Sequence, residues 1–433
     1  MNRFFLIVSL FVILIGSTIM GIPVQAEASL QGDWEGAIVV SGQELGIIIH
    51  FKGEQDNLRA TIDIPMQMLK NYSLQNIELK GAEIYMELPS QVVGEFQGEI
   101  SDNRIEGDYV QGPAVGEFYL QKVIDKEDDV DNGDEEDLSA EELSLEVDGG
   151  TLYGTLQLPA GEHMLESQKH PVALIIAGSG PTDRDGNSPA VGENNSLKML
   201  AEGLAKAGIA SLRYDKRMVA ESSGINSSEE ELRFSDYIND AIGWAKMLQD
   251  DARFSDLYMI GHSQGSLIGM VAVRETNADG FISIAGPGQS IDLTLREQLA
   301  PLEGELKEEA LAVLDSLKEG KTVQGVSLEL QSLFRDPVQP FLISYIEYDP
   351  LKEIKKLAVP VLIIQGTTDL QVTTADARKL KEACEDAELQ IIEGMNHVLK
   401  EAPADPNQNI LTYSNPDLPL ADGLLEGLIE FIK

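Results

Sequence analysis

Leu257-Tyr258-Met259-Ile260-Gly261-His262-Ser263-Gln264-Gly265, continued by Ser266 to Arg274, is the stretch that decides the fold of this 433-residue chain. It opens with four residues of apolar body, the texture of a buried strand, and runs on into a segment that reads as a helix. Between the two stands G-x-S-x-G. A chain that reverses from strand into helix within so few residues strains its backbone at the serine. Side chains two positions to either side would collide, and Gly261 and Gly265 remove them. Five residues of this kind arise by chance too easily to mean much alone; the strand before and the helix after give the pattern its weight.

Outward from that turn, strands and helices alternate. Val172 to Ala177 is a continuous apolar run, as expected of a strand covered on both faces of a parallel sheet. A helix is predicted from Ser196 through Lys206, ended by Gly208, and the next strand covers Ile209 to Leu212. Phe234, Tyr237, Ile238, Ala241, Ile242, Ala245 and Leu248 recur at helical spacing. Phe281 to Ala285 and Val361 to Ile364 continue the strand series, and Leu389 to Ile392 closes it. The alternation, from about 143 to 433, predicts an α/β fold with a doubly wound, mostly parallel sheet, whose function sits at the carboxyl ends of the strands. Residues 287–348 read as a helical cap, with Leu306, Ala310, Leu311, Leu314 and Leu317 as its packing stripe. Such a cap would shape a substrate pocket.

Three other zones precede this one. Residues 27–123 alternate with period two, as in Leu58, Ala60, Ile62 and Ile64 against Arg59, Thr61 and Asp63, and are punctuated by Gly, Asn and Pro. They predict a small all-β domain, an antiparallel sheet or barrel. Residues 124–142, with Asp125-Lys126-Glu127-Asp128-Asp129 and Asp134-Glu135-Glu136-Asp137, have almost nothing to bury and read as a solvated acidic linker. A calcium loop is the alternative there, but aligning Gly133 with the loop glycine puts Val130 where a ligand oxygen is needed. At the start of the chain, Arg3 precedes an apolar run from Phe4 to Ile22, then Val24 and Ala26 at signal-peptidase spacing. Residues 1–26 are therefore expected to be a signal peptide cleaved after Ala26, which makes the protein secreted or extracytoplasmic. An uncleaved membrane anchor is the competing reading. No later segment is apolar enough to span a bilayer.

Lys plus Arg total 32 against 73 Asp plus Glu, a formal charge of −41. So negative a surface repels phosphate backbones and anionic lipids, so no nucleic-acid partner is expected; its ordinary use is solubility. Cys384 is the single cysteine and excludes an intramolecular disulfide or a Cys-based metal site. It is expected inside a helix from Ala375 to Asp386. No metal or cofactor is implied.

A serine hydroxyl needs a base. The histidines are His50, His163, His170, His262 and His397, and only His397 lies beyond Ser263. Elbows of this type belong to a fold in which acid and histidine follow the serine along the chain. His397 is thus the base, and it sits in a loop just past the last predicted strand. The acid that holds its tautomer is Asp369, which follows Val361 to Ile364 through Gln365-Gly366-Thr367-Thr368 at the same sheet edge. Asp376 and Asp386 are placed in the helix beyond, and Asp349 lies well upstream. Oxyanion donors are assigned to the N–H of Gln264, after the nucleophile, and of Ser179 in Gly178-Ser179-Gly180-Pro181; a plain glycine turn would fit the latter residues too.

These stretches, with Thr182-Asp183-Arg184-Asp185-Gly186-Asn187 and Arg213-Tyr214-Asp215-Lys216-Arg217, carry a resemblance. From about Leu143 onward the chain resembles the bacterial α/β-hydrolase esterases, a group close to the serine-aminopeptidase-like hydrolases. The resemblance implies the α/β-hydrolase fold and the triad far more firmly than any substrate. After Arg217 such proteins usually continue with a glycine-rich turn, whereas here Met218-Val219-Ala220-Glu221 follows. The β-domain resembles a module often found ahead of these esterases. Asp183, Arg184 and Asp185 either order their loop by mutual ion pairs or contact a polar substrate end; the structural role is the favoured one.

The reading that emerges is a serine hydrolase acting on small carboxylic esters through Ser263, Asp369 and His397. An aminopeptidase or amidase with the same triad, and an inactive surface-binding scaffold, are the alternatives. Acyl length, alcohol moiety and oligomeric state are not legible.

Overall fold

A computed structural model describes residues 30–433 apart from 41–42, 54–57, 65–68, 90–91, 102, 113, 124–137, 160–168, 190–191 and 226–227. The signal peptide expected at 1–26, most of the acidic linker and its calcium-loop alternative, and His163 lie outside the described residues. The chain divides into two compact units near Ile124.

In the first unit the period-two alternation becomes nine strands among the described residues. They are β1 (Gly32–Val40), β2 (Gln43–Lys52), β3 (Arg59–Ile64), β4 (Leu69–Ser73), β5 (Gln75–Lys80), β6 (Glu83–Leu88), β7 (Gly94–Ser101), β8 (Arg104–Gln111) and β9 (Ala114–Lys122). Their order is β4-β3-β2-β1-β9-β8-β7-β6-β5, with β1 antiparallel to both β2 and β9. One side chain in two is buried: Ile47, Ile49 and Phe51 along β2, with Trp34, Phe96 and Phe118 among the largest. This is the all-β domain read from the alternation.

The second unit carries an eight-stranded sheet. Its strands are β10 (Ala140–Val147), β11 (Gly150–Gln157), β12 (His170–Ile176), β13 (Ala210–Tyr214), β14 (Phe254–His262), β15 (Gly280–Ile284), β16 (Val361–Gly366) and β17 (Glu388–Ile392). The helices are α1 (Ser196–Lys206), α2 (Phe234–Asp250), α3 (Gln264–Ala272), α4 (Ile291–Leu299), α5 (Gly304–Lys318), α6 (Gln331–Phe334), α7 (Gln339–Ile346), α8 (Pro350–Ile354), α9 (Thr374–Ala383), α10 (Pro406–Leu411) and α11 (Leu424–Ile432). The sheet order is β10-β11-β13-β12-β14-β15-β16-β17. β10, β11 and β13 pair antiparallel, and every pair from β13 onward is parallel. The chain leaves β12 for β13 on one side and returns to β14 on the other, which opens a crevice at their carboxyl ends.

Along β12, Val172, Leu174 and Ile176 join one core while Ala173, Ile175 and Ala177 join another. Successive strand residues point to opposite faces, so this run has to be apolar throughout. Trp244 of α2, Leu267 of α3 and Leu380 of α9 cover the first face; Leu197 and Leu200 of α1 and Leu428 of α11 cover the second. Each such side chain, fully buried, contributes roughly 1.5–3 kcal/mol relative to exposure.

The insertion between β15 and β16 builds its own core from Leu295, Leu299, Ala310, Val313, Leu314, Leu317 and Phe334. Leu306 packs against it, and Val313 takes the place expected of Leu311. The insertion is anchored on α2 by Phe234, whose ring stacks on Tyr345 of α7 at 4.3 Å and 4°. Phe234 also donates its N–H to Ser344 Oγ.

Two local expectations need correction. α9 ends at Ala383, so Cys384 is its half-buried C-cap and Asp386 lies exposed in the turn beyond. Glu385 and Asp386 would have set negative charge against the negative end of the helix dipole. In addition, β10 begins at Ala140, inside the stretch expected as linker, because Glu142 pairs with Thr155 across the hairpin and accepts from its hydroxyl.

Candidate active site

Ser263 follows β14 directly and caps α3, with φ 54° and ψ −122°. A non-glycine residue there costs on the order of 1–3 kcal/mol and persists only where its surroundings over-determine it. They do so by close approach. A Cβ on Gly261 would stand 2.4 Å from Gly265 O, and one on Gly265 would stand 2.2 Å from Ile176 O. Both glycines of the motif are therefore required by contact, and β12 is the wall against which the elbow turns.

Asp369 and His397 come together from separate loops. The His397 Nδ1–H donates to Asp369, 2.9 Å from Oδ2 and 3.1 Å from Oδ1, which leaves Nε2 as the acceptor of the neutral ring. The acid is held on other sides by Gln371 N–H at 2.7 Å, Val372 N–H at 2.9 Å and Gln365 Nε2 at 3.0 Å. Burial opposes its ionisation, but the His397 ring and these donors outweigh burial and keep the carboxyl below its ordinary range. Hydrogen bonds also tie the two loops to each other. Thr368 Oγ1 donates to Gly394 O at 2.7 Å, and Gly394 N–H donates to Thr367 Oγ1 at 2.9 Å. A Cβ on Gly366 would stand 1.8 Å from Met395 O.

His262, between the first glycine and the serine, links the elbow to the base. Its Nε2–H donates to the carbonyl of His397 at 2.8 Å, and the two rings lie 4.9 Å apart. Burial, then the neighbouring His397, push its pKa down to about 3, so it stays neutral and serves as a strut. Among the described residues no hydrogen bond joins Ser263 Oγ to the His397 ring. Such contacts commonly tighten only when substrate binds.

Of the two residues assigned as oxyanion donors, Gln264 directly follows the serine and Ser179 directly follows Gly178. Gly178 lies against the serine, a Cβ there falling 3.2 Å from Ser263 Cβ. Neither Ser179 N–H nor Gln264 N–H is engaged by an acceptor among the described residues. Tyr345 of the insertion places its hydroxyl beside the Gln264 side chain.

Arg184 and Asp185 do form ion pairs, but with other segments rather than with one another. The buried Arg184 grips Asp215 through Nε and Nη2, and also bonds Glu142 and Glu221; Asp185 accepts from Arg213 at 2.7 Å. Asp183 accepts the N–H groups of Asp185 and Asn187, closing the loop on itself. After Arg217, Met218 and Ala220 adopt φ 67° and 44°. The left-handed turn that glycines would make is kept without them, at roughly 1–2 kcal/mol per residue.

Sequence reasoning missed Gln365, Lys216 and the role of His262. In the sequence Gln365 reads only as a spacer, and His262 only as a histidine on the wrong side of the serine. A polar residue closing an otherwise apolar strand is the signal that could have found Gln365. A cleft of about 600 Å³ lined by Glu146, Asp148, Glu231, Asp236 and Asp240 contains none of Ser263, Asp369 or His397.

The family model described as serine aminopeptidase, S33, matches residues 193–339, a stretch that includes the elbow and stops before Asp369. The chain is 30% identical over 296 residues to esterase EstD of Thermotoga maritima, covering 67% of each protein. Among solved structures it is similar to Est1E from Butyrivibrio proteoclasticus (18% identity, TM-score 0.42, 67% of this chain and 96% of that one). It is also similar to a puromycin-hydrolyzing peptidase of Mycobacterium tuberculosis (17%, TM-score 0.46, 89% and 53%). These two distant likenesses carry no weight in the assignment, which rests on the relative at 30% identity. The chain belongs to the α/β-hydrolase esterase family that includes EstD.

Proposed function

We propose that the chain cleaves small carboxylic esters through an acyl-enzyme intermediate, with Ser263 as nucleophile, His397 as general base and Asp369 as the acid that orients it. The observation that carries this reading is the His397–Asp369 hydrogen bond beside a serine held in a strained turn, with two unengaged N–H groups next to it. His397 Nε2 takes the hydroxyl proton as Ser263 Oγ attacks the ester carbonyl. The tetrahedral oxyanion receives the N–H groups of Ser179 and Gln264. His397 then passes the proton to the leaving alcohol, and water, activated by the same ring, releases the acid.

An amide-cleaving reading deserves weight because the matching family model is described as a serine aminopeptidase. An aminopeptidase needs a negative subsite for the substrate amine close to the nucleophile. The acidic cleft beside α2 is lined by no triad residue and offers none there. Assays on p-nitrophenyl acylates and amino-acid anilides separate the two readings: ester turnover is expected to dominate. Ser263→Ala is expected to lower kcat about 10⁴-fold or more. Near-wild-type turnover by that variant would overturn the assignment. The same reading includes export directed by residues 1–26, tested by the intact mass of exported protein, which should begin at Glu27. No described helix is long and apolar enough to cross a membrane.

A further inference from the structure

Lys216, just past the end of β13, is buried to 1% exposure. Its Nζ donates to the carbonyls of Gly178 and Gly180, the latter at 2.8 Å, and lies 5.6 Å from the centroid of the Tyr237 ring. Among the described residues no carboxylate pairs with it. Burying an ammonium without a counter-charge costs several kcal/mol by order of magnitude, and an apolar side chain of the same length would avoid that cost. Burial accordingly pushes its pKa down to about 7. The position therefore uses the lysine's donors, and what they hold is the loop beside the nucleophile.

Peptide geometry says what that hold achieves. The Gly178 carbonyl and the Ser179 N–H belong to one planar trans peptide and point in opposite directions. With its carbonyl drawn to Lys216, this peptide has to turn its N–H the other way, while the α-carbon of Gly178 lies against Ser263. The second anchor, at Gly180 O, prevents the short loop from rotating about the first.

We propose that Lys216 is a positioning residue for the oxyanion site: by holding the Gly178 and Gly180 carbonyls it aims the Ser179 N–H at the oxyanion formed on Ser263. This rests on the acyl-enzyme reading and deepens it. Loss of the anchor leaves the donor present but loosely aimed, so its effect should be smaller than deletion of an oxyanion donor and should appear in the transition state.

The test uses the full-length protein and the variants Lys216→Met, which keeps the stem and loses the donors, and Lys216→Gln, which keeps an N–H. Active sites are titrated with a fluorophosphonate so that kcat is expressed per competent Ser263. For Lys216→Met, kcat should fall about 10- to 100-fold with KM within about threefold. Affinity for a trifluoromethyl ketone, whose hemiketal carries the oxyanion, should weaken by the same factor. Lys216→Gln should recover part of both. Unchanged kcat per titrated site, or a change confined to KM, would overturn the proposal, as would failure of both variants to fold, which would make Lys216 a purely structural residue. If only Lys216→Met fails to fold, Lys216→Gln decides by the same readouts: a smaller parallel loss supports the proposal and none overturns it. Wild-type protein that neither turns over esters nor labels at Ser263 would instead sink the acyl-enzyme reading itself.

Discussion

The two halves of the proposed catalytic rim are held in place by opposite means. The elbow around Ser263 is fixed by the absence of side chains: Gly261 and Gly265 have neighbours so close that a single added carbon has no room. The Asp369 and His397 loops are fixed by polar side chains: Thr367 and Thr368 bond across the gap between the loops, while the buried Gln365 and Asn396 brace each loop from its own side. Steric fixing is all or none, because a clash with backbone cannot be relieved locally. Hydrogen-bond fixing is graded, because each bond nets only about 0.5–1.5 kcal/mol and its loss loosens rather than displaces. Ser263, the proposed nucleophile, is thus set by the fold itself, and Asp369 and His397, the proposed acid–base pair, by tunable contacts.

Substitutions on either side can break that contrast. Gly265→Ala is expected to have the largest effect, destabilising the protein by about 3 kcal/mol or more because the new carbon meets the Ile176 and Ala177 carbonyls. Urea titration would check it; a variant as stable as wild type would mean that the elbow can relax. On the polar side, Gln365→Leu should leave folding largely intact and lower kcat about tenfold, since it removes one of four donors to Asp369 and leaves the rest. Steady-state kinetics with melting curves would separate those two results.

The smallest effect concerns Lys216, and its sign follows from proton uptake. The unfolded lysine keeps its proton up to its ordinary value of 10.5, whereas the folded one releases it near 7. Between those values the unfolded state binds the extra proton, so this residue makes stability rise with pH. Tyr237 and His262 face it, and neither changes charge between pH 7 and 9: His262 is already neutral, and burial, then Asp240, push Tyr237 well above its ordinary range. Between pH 7 and 8 wild type should gain about 1 kcal/mol over Lys216→Met, read from urea midpoints at the two pH values. An identical pH dependence in both proteins would mean that Lys216 titrates normally.

The same contrast governs what the sequence discloses. Steric requirements leave a local signature, and so the glycines of the elbow and the apolar run of β12 could be read directly. Polar fixing leaves none. Nothing in Arg213-Tyr214-Asp215-Lys216-Arg217 says that its second cation is fully buried, because charged residues next to one another read as surface. The ion pairs of Arg184 were similarly misjudged as mutual: their partners, Asp215, Glu142 and Glu221, come from three other segments. The antiparallel β10–β11 hairpin is absent from the expected elements although Asp148-Gly149 carries a turn signal, because the acidic residues leading into it, Glu141 and Glu142, blend with the charged stretch before them.

The most direct test of Ser263 as the nucleophile is covalent labelling of the wild-type protein with a fluorophosphonate, followed by peptide mapping. One adduct is predicted, on the peptide containing Gly261-His262-Ser263-Gln264-Gly265, and none on Ser263→Ala. Ester turnover by folded protein whose label falls on another serine, or that takes up no label at all, would contradict it.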